Sequence, residues 1–298
     1  MRVRDSPQRG GPGQGPGGGE RHVSGPLAGG GLLLASCTSI QVGAALARGT
    51  FVTTGPLGAA GWRFALAAAI MLVLARPQIR GWSPARWRRV IAFGVAAAGN
   101  EVCLYEALVR LPLGLAVTIE FLGPVAVALG AGPGRRRLSC AILALAGVCT
   151  ICVTTVRLNP LGLAFALLAG AGWAAYILAS RSAGRDQRPL DSLAVSLSVG
   201  ALLCLPLALA HAGALATHAT TALTLAIVAI LGTVTPYALE LAALRRLAPG
   251  AAGVLFSIEP AIAAVVGLLV LNQGLRAAQL LGIAMVLLAG AGVLRDPA

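Results

Sequence analysis

The chain has 298 residues, of which 57% are hydrophobic and only 11% are charged, and its mean hydropathy is +0.83. Soluble domains carry about 25% charged residues, so this composition excludes a soluble globular protein and indicates one that crosses a membrane several times. The formal net charge of +13 comes from arginine alone, since the chain has no lysine. These arginines lie mostly between apolar spans, so membrane topology explains them better than nucleic-acid binding does.

A glycine- and proline-rich tail with several arginines occupies residues 1–30, and its composition predicts disorder. From residue 31 onward the sequence predicts ten apolar spans, several of them near the short limit for a hydrocarbon core of about 30 Å. The spans cover residues 32–47, 57–75, 90–109, 113–131, 138–155, 161–180, 192–210, 222–244, 249–271 and 277–294.

The arginines predict how the spans are oriented. With the N-terminus in the cytoplasm, 18 arginines fall on the cytoplasmic side and four on the other, while Arg63 lies within the second span. Cytoplasmic connections of membrane proteins carry an excess of basic residues. The sequence therefore predicts a multi-pass protein of the cell membrane (inner or plasma membrane) with both termini in the cytoplasm.

The two halves of the chain repeat. A shift of 136 residues places Arg110, Leu111, Gly114 and Pro124 onto Arg246, Leu247, Gly250 and Pro260. The repeats, residues 31–156 and 157–298, have five spans each, and an odd number of spans inverts the second repeat relative to the first. The predicted fold is therefore an all-α membrane protein of ten helices in two inverted five-helix repeats.

The fourth span, LPLGLAVTIEFLGPVAVAL at residues 111–129, combines an acid and a helix defect. Glu120 lies near its middle, where a carboxylate costs about 2.5–3.5 kcal/mol on insertion scales. Pro124 removes a backbone hydrogen bond one turn later. Glu259 similarly precedes Pro260 in the ninth span, and neither acid has an arginine nearby in its own span. Both acids are therefore candidates for the wall of a substrate path.

Other ionisable residues within the spans have structural interpretations as well. Glu106 lies four residues before Arg110, a spacing that predicts an ion pair along one helix. Glu101 either pairs similarly or faces the cavity. Arg63, early in the second span, either extends to the outer interface or points inward, where it would be a partner for a carboxylate of the substrate or of a glutamate.

Glu240 follows Thr235-Pro236-Tyr237 near the predicted cytoplasmic end of the eighth span. Arg245 and Arg246 are close enough in sequence to neutralise it, so structural pairing is at least as well supported as a role in transport. The sequence has no Walker-type phosphate loop, no metal-binding histidine pattern and no Gly-x-Ser-x-Gly elbow. No cofactor and no metal site are predicted.

Several segments resemble the EamA-type drug/metabolite transporter superfamily, and most of all its inner-membrane threonine and homoserine exporters. These segments are SIQVGAALA (39–47), GWRFALAAAI (61–70), residues 111–129, AGWAAYILA (171–179), TPYALELAAL (235–244) and FSIEPAIAAV (256–265). The resemblance covers about residues 31–296 and implies ten helices around a central cavity with proton-coupled export of small amino acids. The matching positions that it implies are Gln41, Arg63, Glu120, Trp173, Tyr176, Tyr237, Glu240 and Glu259.

Two features depart from the family pattern. Asn272-Gln273 stands where these transporters commonly carry Gly-Glu, and Glu101 stands where those exporters are usually uncharged. The departures affect substrate and coupling more than they affect transport as such.

The expected function is secondary active export of small polar metabolites, such as threonine or homoserine, by proton antiport. In this hypothesis Glu120 binds either the substrate ammonium or a proton, Glu259 tunes the cavity, and Arg63 holds the substrate carboxylate if it points inward. The expected partners are the substrate, protons and the lipid bilayer, but not nucleic acid, and the sequence is compatible with a homodimer.

Three alternatives to this function stay open. The first is efflux of a nucleoside, purine or cationic drug. The second is an integral-membrane enzyme, which would need an ordered catalytic set of histidines or aspartates that the sequence lacks. The third is a scaffold that transports nothing, which five glutamates within the spans disfavour.

Overall fold

A computed structural model describes residues 24–130, 134–154, 158–183, 189–244, 246–247 and 255–294. These residues form helices joined by short turns, and no strand occurs among them, so the expected all-helical fold is confirmed. The helices are α1 (Ser24–Ala75), α2 (Pro84–Arg110), α3 (Leu113–Glu120), α4 (Leu122–Leu129), α5 (Arg135–Thr154), α6 (Pro160–Ala183), α7 (Pro189–Ala210), α8 (Ala212–Thr217), α9 (Ala219–Ala229), α10 (Thr235–Leu244), α11 (Glu259–Leu271) and α12 (Ala277–Leu294).

Within the described ranges, five helical stretches are long and apolar enough to cross a membrane. They are Leu27–Ala75, Pro84–Arg110, Pro160–Ala179, Leu190–Ala210 and Ala219–Glu240. Shorter apolar helices cover Leu113–Val127, Leu138–Ile151, Glu259–Leu271 and Ala277–Gly292. Large apolar side chains such as Leu202 and Leu269 point outward from the bundle, as they do when the surroundings are lipid.

The first two predicted spans form one continuous element, α1, whose break lies at Gly55. The predicted connection at residues 48–56 is wrong in extent, because the chain stays helical up to Gly55. Thr50 and Thr54 bond back to carbonyls of the same helix, which suits a helix inside a membrane. Gly55 has φ 66° and ψ 165°, a conformation that glycine alone adopts readily, and Pro56 follows without an N–H.

The N-terminal tail is shorter than predicted where the structure describes it. Residues 24–30 belong to α1, so the predicted disordered stretch of residues 1–30 is wrong at its end. Residues 1–23 of the predicted tail lie outside the described residues. The ninth predicted span, residues 249–271, is described only from residue 255, and α11 begins at Glu259.

The fourth predicted span is two short helices, α3 and α4, which meet at Phe121. The helix defect predicted beside Glu120 is therefore confirmed. Pro124 has no N–H for the carbonyl of Glu120, four residues earlier, so that carbonyl faces outward from the helix. A Cβ atom added to Gly170 of α6 would lie 2.8 Å from this carbonyl oxygen. Glycine at position 170 thus lets α6 approach the break closely.

The eighth predicted span also has an internal irregularity, a π-helical turn at Ile230–Val234 between α9 and α10. The N–H of Thr235 bonds to the carbonyl of Ile230, five residues back. Pro236 cannot donate to Gly232, four residues before it. The turn and the proline together release backbone carbonyls in the middle of this span, and such turns are frequent at functional sites.

Helices far apart in sequence pack as pairs. The main contacts join α1 to α7, α2 to α6, α5 to α12 and α3 to α11, while α1 also contacts α9 and α10. Alanine dominates the largest buried cluster, which includes Ala44, Ala107, Ala166 and Ala263. Small side chains let helices approach closely in lipid, where burial of apolar area adds little driving force.

Candidate substrate and proton site

Arg63 of α1 points into the bundle and contacts partners from two other helical segments, α2 and the π-helical turn. Its guanidinium forms an ion pair with Glu101 and donates to the hydroxyl of Tyr105 at 3.1 Å, both on α2. It also donates to the carbonyl oxygen of Gly232 at 2.6 Å and to the hydroxyl of Thr233 at 3.2 Å. We call these five residues the Arg63 cluster.

The Arg63 cluster settles two alternatives that the sequence left open. Arg63 does not extend to the outer interface, since it is only 8% exposed, and its carboxylate partner is Glu101, which is 7% exposed. Glu101, one of the two departures from the family pattern, is therefore the counter-ion of Arg63. The carbonyl of Gly232 is available because Pro236 cannot bond to it, so the irregular eighth span supplies part of the cluster.

Glu120 lies beside the Arg63 cluster but has a neutral partner. The side-chain amide of Asn100 donates to its carboxylate at 2.7 Å and to the carbonyl oxygen of Ala169 at 2.8 Å. Glu120 is only 4% exposed. Asn100 directly precedes Glu101 on α2, so one of these adjacent residues binds Glu120 and the other binds Arg63. The structure thus places Glu120 in the interior without a cation in contact with it.

Glu259 begins α11 and bonds to Gln41 of α1. The amide nitrogen of Gln41 donates to the Glu259 carboxylate at 3.0 Å. The other amide atom of Gln41, Oε1, is buried and has no hydrogen-bond partner among the described residues. A buried acceptor without a donor is costly. Gln41 and Glu259 therefore offer two oxygen acceptors to a ligand that carries N–H groups.

Glu240 of α10 also has a neutral partner. The hydroxyl of Ser36 donates to its carboxylate at 3.0 Å, and lies 3.4 Å from the carbonyl oxygen of Pro236. The predicted pairing with Arg246 is wrong, because that guanidinium donates instead to the carbonyl of Ala242, one turn back along the chain. Arg245, the other predicted partner, lies outside the described residues.

The aromatic positions form two contacts next to these acids. The hydroxyl of Tyr176 donates to that of Tyr237 at 3.0 Å, and the Tyr176 ring packs on Phe93 with 4.5 Å between ring centroids. Trp173 meets Phe121, the residue at the break between α3 and α4, edge to face at 6.0 Å. Tyr176, Tyr237 and Trp173 are all half-buried.

Glu120, Glu240 and Glu259 each accept a hydrogen bond from a neutral side chain, and we call these three acids the carboxylate group. In the part of the chain that the structure describes, none of the three forms an ion pair. A buried carboxylate without a cation is unfavourable as an anion, so each can be neutralised by a proton or by a cationic ligand.

Two further predictions concern residues outside this interior. The ion pair between Glu106 and Arg110 is confirmed at 2.5 Å, so Glu106 is satisfied within its own helix. At the departure Asn272-Gln273, Asn272 ends α11 in the left-handed conformation with φ 53°. The Gln273 side chain accepts from the N–H of Leu113 at 2.9 Å and so caps α3. This departure from the family pattern thus joins the end of α11 to the start of α3.

Sequence reasoning missed Asn100, Ser36, Tyr105 and Thr233. Asn100 follows Gly99 in an alanine-rich stretch and offers no motif, while Ser36 is one hydroxyl among several small residues. The pairing of Pro236 with Gly232, four residues earlier, is a signal that could have pointed to released carbonyls in the eighth span. Among the described residues, no group of three or more histidine, cysteine, aspartate or glutamate side chains is arranged to hold a metal ion.

Comparison with known proteins places these features in a family. Residues 160–295 match the model of the EamA-like transporter family. The chain is 35% identical to the threonine/homoserine exporter RhtA of Escherichia coli (strain K12) over 266 residues, which cover 88% of this chain and 89% of that protein. It is 33% identical to the protein of the same name from Salmonella typhimurium (strain SL1344), again over 88% and 89% of the two chains.

A crystal structure of another protein shares the fold. It superposes with a TM-score of 0.55 at 17% identity and covers 91% of this chain and 96% of that one. The long apolar helices and these matches define a multi-pass membrane transporter. The chain belongs to the EamA-like transporter family.

Proposed function

We propose that this transporter is a secondary active exporter of small amino acids, such as threonine or homoserine, and that it works by proton antiport. The observation that carries the proposal is the carboxylate group, in which the buried acids Glu120 and Glu259 and the half-buried Glu240 have only neutral hydrogen-bond donors. The names of the relatives supply the substrate class. An amino acid brings an ammonium group, which is one of the two species that can neutralise such an acid.

Glu120 is the acid to which we assign coupling. It lies at a helix break, and its carboxylate can hold either a proton or a substrate ammonium, but not both. If each side of the membrane presents the two cations in turn, proton entry drives amine exit. Glu259 and the unpaired Oε1 atom of Gln41 are further acceptors that would bind the N–H groups of the substrate.

We assign Arg63 a positioning role in place of direct contact with the substrate. Every nitrogen of its guanidinium already has a partner in the Arg63 cluster. A substrate carboxylate would reach it only by displacing Glu101. Arg63 instead links α1 and α2 to the π-helical turn. This link fixes the position of α2 relative to the eighth span, and with it the position of Asn100, which donates to Glu120.

We further propose the inverted arrangement of two five-helix repeats, residues 31–156 and 157–298. Under the 136-residue shift, Asn100 and Gly172 correspond to Pro236 and Ser36. Gly172 approaches Asn100 closely, and the Ser36 hydroxyl reaches the Pro236 carbonyl, so corresponding contacts occur in both halves. Gly147 packs on Gly282, which is offset by nearly the same shift, as expected where two related helices cross.

For the orientation, the arginine excess supports both termini in the cytoplasm of a cell whose inner or plasma membrane holds the protein. Reporter fusions test this directly. Fusions after Arg80 and Arg188 should report the cytoplasm, and fusions near Arg157 and His218 the opposite side. An external signal at Arg188 would contradict the ten-span arrangement.

Flux in proteoliposomes with a panel of amino acids tests the proposed function. An inward proton gradient should drive threonine or homoserine against its concentration gradient, and an ionophore that collapses the gradient should stop it. The panel should include organic amines without a carboxylate, because the neutralised Arg63 and the three unpaired acids also suit export of a cation. Proton-driven flux of amines alone would replace amino acids by cations as the substrate class, and no flux would overturn the proposal.

A further inference from the structure

We propose that a groove at one end of the bundle binds an anionic phospholipid, with an acyl chain in the groove and the phosphate on neighbouring arginines. The groove has a volume of about 630 Å³ and lies between the end of α1, the linker to α2, the start of α2 and α7. Leu72, Pro77, Ile79, Trp87 and Val195 line it, together with Arg76. The groove is open along one side, and its apolar lining suits a hydrocarbon chain.

Arg76 lines this groove, and Arg80 and Arg88 follow the lining residues Ile79 and Trp87 directly in the sequence. Arg76, Arg80 and Arg88 are exposed, and none has an ion-pair partner in the described ranges. Asp191, an acid at the same end of the bundle, is only 5% exposed and accepts from the backbone N–H of Gln78 at 3.3 Å. Arg76 therefore gives the groove itself a positive charge, and with two further exposed arginines adjacent in sequence to its lining it complements an anionic headgroup.

The linker that carries these arginines is held in place by its own contacts. The Trp82 ring packs on Trp87 with 5.4 Å between centroids, and its indole N–H donates to the Gln78 carbonyl at 2.7 Å. The Arg86 guanidinium stacks 3.8 Å from the Trp82 ring and donates to the Ser192 hydroxyl on α7. Tryptophans of this kind are typical of the membrane interface, so the groove lies at headgroup level.

Topology alone would account for arginines here, but not for the groove beside them. A general excess of basic residues on the cytoplasmic side does not require any of them to lie at a groove. Arg76, however, is part of the lining of an apolar groove. The arginine count puts this end on the cytoplasmic side, where anionic lipids are enriched and basic pockets between helices bind their headgroups. A two-part ligand, apolar chain and anionic phosphate, matches both parts of the site.

Native mass spectrometry of the delipidated full-length protein, titrated with dioleoyl phosphatidylglycerol, tests the proposal. Dioleoyl phosphatidylcholine serves as the lipid of equal chain length without net charge. The charge variant is Arg76→Gln, Arg80→Gln, Arg88→Gln, and its matched control is Arg135→Gln, Arg136→Gln, Arg137→Gln at the start of α5, on the same predicted side. A third variant, Ser198→Phe, fills the groove, of which Ser198 is a lining residue, and leaves the charge unchanged.

The proposal predicts saturable binding of phosphatidylglycerol in preference to phosphatidylcholine. The charge variant should lose about a hundredfold in affinity, at about fivefold for each arginine near a membrane surface. Ser198→Phe should lose about tenfold, and the control variant less than twofold. An equal loss in the control variant, or no loss in Ser198→Phe, would overturn the site, since the arginines would then act only through overall charge. Because binding is measured without transport, failure here leaves the proposed function untouched.

Discussion

Two neighbouring residues of α2 divide the interior into regions that treat charge in opposite ways. Glu101 faces Arg63, and that ion pair is completed by a tyrosine, a threonine and a backbone carbonyl. Asn100, one residue earlier, holds Glu120, which belongs to a group of acids with neutral donors only. Glu101 and Glu120 are buried to a similar degree, at 7% and 4% exposed, so burial alone does not distinguish these two acids.

The difference is that Glu101 has a counter-ion, whereas Glu120 has only a neutral hydrogen-bond donor. A closed ion pair has no capacity for a further cation and gives rigidity between helices. An acid held by an amide or a hydroxyl is oriented but not neutralised, and can take a proton or an ammonium in turn. We therefore propose that the Arg63 cluster is the fixed part of this transporter and that the carboxylate group is its working part.

The largest effect on folding should come from breaking the Arg63 cluster. Arg63→Gln leaves Glu101 buried without its counter-ion, which costs about 3–5 kcal/mol of stability. Thermal unfolding in detergent, followed by tryptophan fluorescence, measures the loss. The double variant Arg63→Gln, Glu101→Gln removes both charges and should recover most of it. A double variant no more stable than Arg63→Gln would show that the ion pair is not the source of the effect.

A smaller effect is expected at the amide that holds Glu120. Asn100→Ala removes the donor to Glu120 and to the Ala169 carbonyl, and should destabilise the protein by about 1–3 kcal/mol. Export should also fall, because Glu120 is no longer held at the helix break. Unfolding and flux measured on the same preparation check both. Unchanged export in a destabilised Asn100→Ala protein would reduce Asn100 to a structural residue.

The smallest effect is expected outside both regions. Glu106 pairs with Arg110 along one helix, and such pairs are worth at most about 1 kcal/mol when partly exposed. Glu106→Gln should therefore leave stability within that range and leave export unchanged. The same unfolding and flux assays apply. A Glu106→Gln protein without export would show that an acid in a closed ion pair is also needed for export, and would contradict the contrast between ion-paired acids and the carboxylate group.

The sequence could predict contacts between residues close together along the chain, but not contacts between residues far apart. The pair Glu106–Arg110 is local, so spacing along one helix was enough to find it. Arg63 and Glu101 are 38 residues apart, and Gln41 and Glu259 are 218 apart, so their contacts depend on helix packing that spacing does not encode. The position of Pro124 predicted the defect at Glu120 because a proline acts within one turn.

The errors have local causes as well. Residues 48–54 lack a proline, and Thr50 and Thr54 bond back to the helix, so α1 continues where hydropathy indicated a connection. Arg246 is close to Glu240 in sequence, but its guanidinium bonds to its own helix. Proximity along the chain was therefore a poor guide to pairing at a helix end, where backbone carbonyls compete for the same donor.

The measurement that tests the central claim most directly is proton-driven flux through Glu120→Gln in liposomes, beside Glu106→Gln as the matched control. Both substitutions remove one carboxylate charge, one from the working group and one from a closed pair. We predict that Glu120→Gln inserts and unfolds like the parent protein but exports nothing when a pH gradient is applied, while Glu106→Gln exports normally. Full gradient-driven flux through Glu120→Gln would contradict the account and pass the coupling role to Glu259.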